Sequence, residues 1–269
     1  WSKPSSINLE GITGDTHNNL LWDPKSGTYV GITRTWGEMG REVMRIESND
    51  FKTWKKDKVV MTGKNTIRQP YSMPIIFHAG VFLGLVAVHE QPPVDRVWTE
   101  LAWSPDTKIW HRIDEGNPLI PCSDKILDYD YGCVYSCANP IFLKNEIRLY
   151  YGGSDYLHYK WRTGNLSLAI LRPDGFAGYE QVRDNESAII LTKDVPFTGK
   201  EIRISCDVEE SGSINADILD KKGNILASSQ PIRSTVTDGT LLLNRPVNMK
   251  QIRFRFTLDK AILYSFSFH

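Results

Sequence analysis

The sequence predicts an all-β protein, and three observations carry that prediction. Short segments alternate apolar and polar residues with a period of two, most clearly at 201–208, 251–258 and 261–268. In the last two segments, the alternation puts Phe254, Phe256 and Leu258 on one face, and Tyr264, Phe266 and Phe268 on one face. Residues that favour turns separate these segments, as at 23–27 and 222–224. Long segments with a helical period are missing from the sequence.

A repeated element, Ser-x-Asp-x-x-x-Trp, predicts how these strands are organised. It occurs at 48–54 and at 104–110, with a diverged third copy at 172–179, and Trp1 continues the spacing towards the N-terminus. The tryptophans of the first two copies are 56 residues apart, and a repeat of this size with about four strands is typical of a β-propeller blade. We expect blades at 15–62, 68–120 and 130–182. A β-sandwich in which the motif recurs by chance is the alternative.

The repeat stops after the third copy. A polar segment at 183–186 precedes seven or eight short predicted strands with Gly, Asn and Asp turns, the spacing of a small β-sandwich that ends in a closing hairpin at Phe268. We predict propeller blades over 1–183 and a C-terminal β-sandwich over 187–269. Because a propeller usually needs about 4–8 blades, we also expect missing N-terminal blades, supplied by a longer chain or a second chain.

Composition narrows the classes of partner. The 269 residues include 32 Lys+Arg and 32 Asp+Glu, so the net charge of zero favours neither nucleic acid nor an anionic membrane. The longest apolar run, 79–88, is about half of the roughly 20 residues that a membrane helix needs. No spacing of His or Cys indicates a metal, and no cofactor is expected. The redox state of the four cysteines and the cellular location stay open, with secretion and the periplasm as options for the latter.

Several segments resemble a known family. The runs 15–24, 27–34 and 45–54 resemble a blade of the five-bladed glycoside hydrolases related to invertases and arabinanases. Segments 150–154 and 171–176 are also similar to bacterial members of that superfamily. The resemblance implies a five-bladed type of propeller, a C-terminal sandwich and a carbohydrate substrate. It also implies acids on three blades, whereas the first blade is absent here and 69–74 contains no acid.

Strand geometry predicts which side chains meet at the central funnel. In an up-and-down blade, the start of the first strand, the end of the second and the start of the third lie on the same face of the propeller, around the central funnel. Glycosidic cleavage uses two carboxyl groups, about 5–5.5 Å apart for retention and about 6.5–9.5 Å for inversion, and the predicted catalytic pair is Asp15 and Glu90. Polar groups that bind hydroxyls and aromatic faces that stack on a sugar ring give the predicted substrate-binding residues: His17, Asn18, Arg34, Trp36, Tyr71, His89, Trp98, Asp130, Tyr135, Asp155 and His158.

Each candidate has a simpler interpretation. Asp15 follows a glycine and fits a turn residue that binds backbone N–H groups. Glu90 precedes Gln91-Pro92-Pro93 and fits a solvated loop acid. Three functions therefore stay open: a glycoside hydrolase, which the resemblance favours, a non-catalytic sugar-binding propeller, and a propeller that serves as a protein-interaction platform.

Overall fold

The computed structural model of the chain describes residues 3, 7, 9, 14–183, 185–197, 199 and 201–269. All regular structure in these residues is strand, which confirms the all-β prediction. The described part of the chain accordingly has no helix that is long and apolar enough to cross a membrane. Trp1, which was expected to continue the repeat, lies outside the described residues. The chain divides into two compact units, Trp1–Ile170 and Leu171–His269.

The first unit begins with a four-stranded antiparallel sheet whose strands follow one another in chain order. This is the up-and-down arrangement predicted for 15–62. The turn between the first two strands is held by Asp23, whose carboxylate accepts hydrogen bonds from Lys25 N and Ser26 Oγ. The strands are β1 (Asn19–Asp23), β2 (Thr28–Gly37), β3 (Gly40–Ser48) and β4 (Lys55–Met61).

Nine further strands form a second sheet, built from two more such groups. With the four-stranded sheet as the first group of this unit, the second group has β5 and β6 both paired with β7, followed by β8 and β9. In the third group, β10 and β11 pair with β12, followed by β13. One parallel pair, Cys133 opposite Val97, joins the two groups. The strands are β5 (Arg68–Ser72), β6 (Ile75–His78), β7 (Val81–Glu90), β8 (Arg96–Ser104), β9 (His111–Ile113), β10 (Cys133–Ser136), β11 (Ile141–Phe142), β12 (Ile147–Ser154) and β13 (Gly164–Leu171).

The repeated motif adopts the same local structure in its first two copies. Asp50 Oδ1 accepts hydrogen bonds from Lys52 N and Thr53 N, and Asp106 Oδ1 accepts them from the two equivalent amides. Each copy then has a left-handed residue, Phe51 or Thr107, whose carbonyl accepts the indole N–H of the motif's tryptophan. The spacing Ser-x-Asp-x-x-x-Trp therefore encodes a turn that anchors the tryptophan, and the aspartates are turn residues.

Apolar side chains fill the space between the first two groups of strands. Val30, Ile32 and Val43 of the first sheet form one buried cluster with residues of the second group, including Met73 and Val86. These side chains come from the central strands, which alternate inward and outward residues. Packing at this cluster brings the ends of β2, β3, β5 and β7 together, and the candidate site lies there.

The second unit is a six-stranded antiparallel sheet dominated by two strands of 18 residues. Segment 171–183 belongs to this unit: Arg172 forms an ion pair with Asp207, and Tyr179 pairs with Leu263. The strands are β14 (Ala188–Leu191), β15 (Val195–Pro196), β16 (Ile202–Leu219), β17 (Ile225–Ser228), β18 (Val236–Thr240) and β19 (Gln251–Phe268).

The expected closing hairpin of 251–258 and 261–268 is wrong, because both segments belong to the single strand β19. Asp259 and Lys260 do not reverse the chain; Lys260 has a left-handed φ of 45°, and the pairing with β16 shifts register at this point. The strand bends there strongly. The rings of Phe254 and Phe266, twelve residues apart in sequence, lie 4.8 Å from each other. In a straight strand they would be roughly 40 Å apart, so the two halves of β19 face each other across the core of this unit.

Candidate functional site

The ends of strands from all three groups in the first unit converge on Tyr71, at the end of β5. We call the surrounding side chains the Tyr71 cluster. His158 and Tyr135 contact the Tyr71 ring, with centroid distances of 5.1 and 5.5 Å, and two guanidinium groups lie over it. The cluster consists of His17, Arg34, Trp36, Arg41, Tyr71, His89, Tyr135 and His158, all but Arg41 in the predicted site set.

The β2–β3 hairpin supplies the basic part of the cluster. Trp36 and Arg41 are paired across the two strands and Arg34 is two residues from Trp36, so all three side chains lie on one face. The Arg34 and Arg41 guanidinium carbons are 4.9 and 5.2 Å from the Tyr71 ring centre. Both arginines are buried, whereas Trp36 is 52% exposed. An exposed indole therefore lies beside two buried cations.

The other part of the cluster is organised by Asp95, which is buried in the loop between β7 and β8. Its Oδ1 lies 3.1 Å from His89 Nε2, and its Oδ2 accepts a hydrogen bond from Tyr159 N. Gln91 Nε2 donates to His89 Nδ1, which leaves the proton on Nε2 to be donated to Asp95. Asp95 also accepts a backbone hydrogen bond from His158 N, so it ties segment 158–159 to the second group of strands.

Both histidines are neutral near pH 7. Burial, together with the nearby charges of Arg41 and Arg162, lowers the pKa of His89 despite the opposing effect of Asp95. Burial, His89 and the same two arginines lower the pKa of His158 to about 4. Within the described residues His89, Asp95 and His158 could hold a metal, since their ligand atoms lie within 4.8 Å of one another. The two arginines that disfavour protonation would repel a metal cation as well.

The predicted catalytic acids, Asp15 and Glu90, are each paired with an arginine. Asp15 Oδ2 lies 2.9 Å from Arg34 Nη2, and its side chain is 90% exposed. Glu90 Oε2 lies 2.9 Å from Arg68 Nε, and Arg68 in turn stacks over Trp98. Asp15 therefore lies at the edge of the Tyr71 cluster, through Arg34, whereas Glu90 follows His89 in β7 but pairs with Arg68, outside the cluster.

The remaining predicted residues lie outside the cluster. Trp98 donates its indole N–H to Glu100, which also pairs with Arg112. Asn18 bonds to Gly14 O and Thr33 Oγ1, and Asp155 accepts a hydrogen bond from Thr163 N across a loop. Asp130 is buried and accepts the hydroxyl of Tyr151 at 2.8 Å. Strand position predicted the face for these residues but not the direction of each side chain.

Three contributors were not among the predicted site residues: Arg41, Asp95 and Tyr159. Arg41 is directly opposite Trp36, so pairing across the predicted hairpin was a signal for it. Tyr159 donates its backbone N–H to Asp95 and accepts from Arg41 Nη2 at 3.2 Å through its hydroxyl. No sequence pattern indicates Asp95, because it joins His89 to Tyr159, which lies 64 residues away in the sequence.

No protein-family model matches the sequence, and no curated protein matches it. Among solved structures, the chain is similar to a family 117 glycoside hydrolase from Zobellia galactanivorans, with 14% identity, a TM-score of 0.48, and coverage of 96% of this chain and 89% of that one. It is also similar to an N-acetylgalactosamine deacetylase from F. plautii, with 14% identity, a TM-score of 0.47 and 64% of this chain covered. This chain spans 58% of the deacetylase.

A family 43 arabinoxylan arabinofuranohydrolase from Bacillus subtilis is a third similar structure. The alignment covers 99% of this chain and 69% of the hydrolase chain, with 10% identity and a TM-score of 0.38.

The depressed pKa of His158 predicts a loss of stability in acid. The pKa is about 4 in the folded state and 6.5 in the unfolded state, so the unfolded state binds more protons between these values. The free energy of unfolding should therefore fall as the pH drops from about 6.5 towards 4. Urea midpoints at both ends of this range would measure the fall. This fall in the free energy of unfolding should be smaller in His158→Phe. It should be unchanged in His111→Phe, a substitution at an exposed histidine outside the cluster.

Proposed function

We propose that this chain binds carbohydrate at the Tyr71 cluster, as a glycan-active propeller protein. The observation that carries the proposal is the exposed indole of Trp36 beside the buried guanidinium groups of Arg34 and Arg41. An indole face packs against the apolar C–H face of a sugar ring, while guanidinium N–H groups donate to ring hydroxyl oxygens. A few polar groups converging beside an aromatic surface are typical of small-ligand sites.

The test uses two tryptophans of the same sheet with nearly equal exposure. Trp36 is 52% exposed within the cluster, and Trp22 is 49% exposed on β1, against Tyr29. Binding of arabino-, fructo-, manno- and galacto-oligosaccharides is measured by calorimetry. We expect Trp36→Ala to weaken binding by at least about tenfold, or about 1.4 kcal/mol, and Trp22→Ala to leave it unchanged. Absence of binding to the wild-type protein, or equal losses in both variants, would contradict the proposal.

Hydrolysis is the second candidate, and the pairing of Asp15 with Arg34 of the cluster favours it. Cleavage needs one carboxyl group that can donate a proton. An arginine partner suits a carboxylate that acts as nucleophile or base. Among the described residues, neither Asp15 nor Glu90 has a contact that marks it as the proton donor. For this reason binding without cleavage stands first.

The cleavage candidate has its own experiment. The same oligosaccharides are incubated with the wild-type protein, and release of reducing ends is followed. If the chain is a hydrolase, Asp15→Asn and Glu90→Gln should each lower the rate by at least about 100-fold while binding persists. Hydrolysis that survives both substitutions would exclude this pair of acids. The proposed partner remains a carbohydrate, and the supply of further blades from a longer or second chain stays a prediction.

A further inference from the structure

The charge balance of the Tyr71 cluster is unusual. Arg34 and Arg41 are 3% and 7% exposed, and both lie within 6 Å of the same two rings, Trp36 and Tyr71. Among the described residues, one carboxylate pairs with them: Asp15, on Arg34. Arg41 bonds to the neutral oxygens of Gln69 and Tyr159. Two buried positive charges therefore share one negative partner, whose side chain is 90% exposed to water.

The same arginines also hold unused donors. Nε and Nη1 of Arg34 and Nε of Arg41 are buried and have no hydrogen-bond partner among the described residues. Buried donors are normally satisfied, and an unsatisfied charged donor is costly. Neutral histidines on the other side of the cluster add no positive charge of their own near pH 7. The unmatched charge thus belongs to the two guanidinium groups.

We infer that the sugar bound at this cluster carries a carboxylate, as a uronic acid does, and that the guanidinium groups of Arg34 and Arg41 bind this carboxylate. A guanidinium group matches a carboxylate in shape and charge, because parallel N–H donors meet its two oxygens. Asp15 is the group that the ligand's carboxylate would displace from Arg34, since it is held there with its side chain almost fully exposed. Trp36 would then lie against the ring of the same sugar unit. This inference rests on the proposed carbohydrate binding.

The experiment compares each acidic sugar with an uncharged twin. Galacturonate and glucuronate oligosaccharides are titrated against the wild-type protein beside the same oligosaccharides as methyl esters. We expect the acids to bind at least about tenfold more tightly than the esters, and added salt to reduce this preference. Arg41→Gln should abolish the preference, and Arg41→Lys should retain part of it. Arg148→Gln, a change at an exposed arginine paired with Glu146, should leave it intact.

The outcomes separate this inference from the proposed function. Suppose that acids and esters bind equally well and that Trp36→Ala still weakens oligosaccharide binding. This result would overturn the carboxylate inference and leave carbohydrate binding standing. A preference for the acids that survives in Arg41→Gln would overturn the assignment to this arginine. Binding of neither form, together with no binding of the neutral oligosaccharides, would overturn the proposed function and the inference with it. Circular dichroism of the Arg41 variants establishes that each is folded.

Discussion

Replacing Asp95 with alanine is expected to destabilise the first unit by roughly 2–5 kcal/mol, because two buried donors lose their acceptor at once. These donors are His89 Nε2 and the backbone N–H of Tyr159. Each unsatisfied donor costs about 1–3 kcal/mol. The substitution also removes a residue type that tolerates the left-handed φ of 52° found here.

Tryptophan fluorescence is a suitable measurement for this variant. All eight tryptophans lie between residues 1 and 170, so urea unfolding followed by their emission reports on the first unit. Asp114→Ala is the matched control, since Asp114 has a left-handed φ of 46° in an exposed loop. It shares the conformational cost without the buried donors, and we expect a loss below about 1 kcal/mol. Similar losses in both variants would show that conformation, rather than hydrogen bonding, accounts for the effect of Asp95.

Asp95→Asn extends the same experiment. Asparagine keeps the side-chain shape and one acceptor oxygen, and it tolerates a left-handed φ as well as aspartate does. It cannot accept from both His89 and Tyr159 as a carboxylate does. We therefore expect a stability between those of the wild type and Asp95→Ala. Hydrogen exchange at 158–159 should rise in the same order, because Asp95 is the acceptor of both backbone amides there.

The fold followed from the sequence where the pattern was local. Alternation with a period of two predicted the strands, and the repeat predicted the first two groups, since a turn such as that of Asp50 and Trp54 forms within seven residues. The core face of β19 was predicted correctly for Phe254 and Phe256, which are fully buried. These successes share one cause: each depends on neighbours in the chain and on the strand period.

The failures involve irregularities that bring distant residues together. Alternation placed Tyr264 with Phe266 and Phe268. The register of β19 against β16 skips Tyr264, however, and its hydroxyl bonds to Asp207 instead. A bulge of this kind changes which face all later residues occupy. Nothing in the alternating sequence reveals where it falls.

The site divides in the same way. The end of one strand and its cross-strand neighbours were predictable, and Arg34, Trp36 and Tyr71, predicted to share one face, do lie together. Asp95 was not, because its role depends on a loop conformation and on a partner in another group of strands. Asp130 was predicted, from its position, to face the funnel. Its carboxylate instead accepts a hydrogen bond from the Tyr151 hydroxyl in the interior. Side-chain direction in loops is set by tertiary contacts, which strand periodicity does not encode.

Phe254→Ala is expected to produce the largest loss of stability in the second unit, about 3–5 kcal/mol, through the cavity that it leaves. Phe254 is 0% exposed, stacks on Phe256 and contacts both Phe266 and Phe268 from the other half of the same strand. The ring therefore holds the two halves of β19 together in addition to filling space. Hydrogen exchange along β16 and β19 would measure the loss directly in this unit.

Two controls make the result specific to the bend of β19. Ile189→Ala, on β14 with 68% of the side chain exposed, should cost less than about 0.5 kcal/mol. Phe254→Leu keeps an apolar side chain at the same place and should lose clearly less than alanine does. In Phe254→Ala, exchange should accelerate in both halves of β19, 251–258 and 261–268, because both line one core. Acceleration confined to the first half would mean that the halves do not depend on each other, and the second unit would then owe its stability to each half separately.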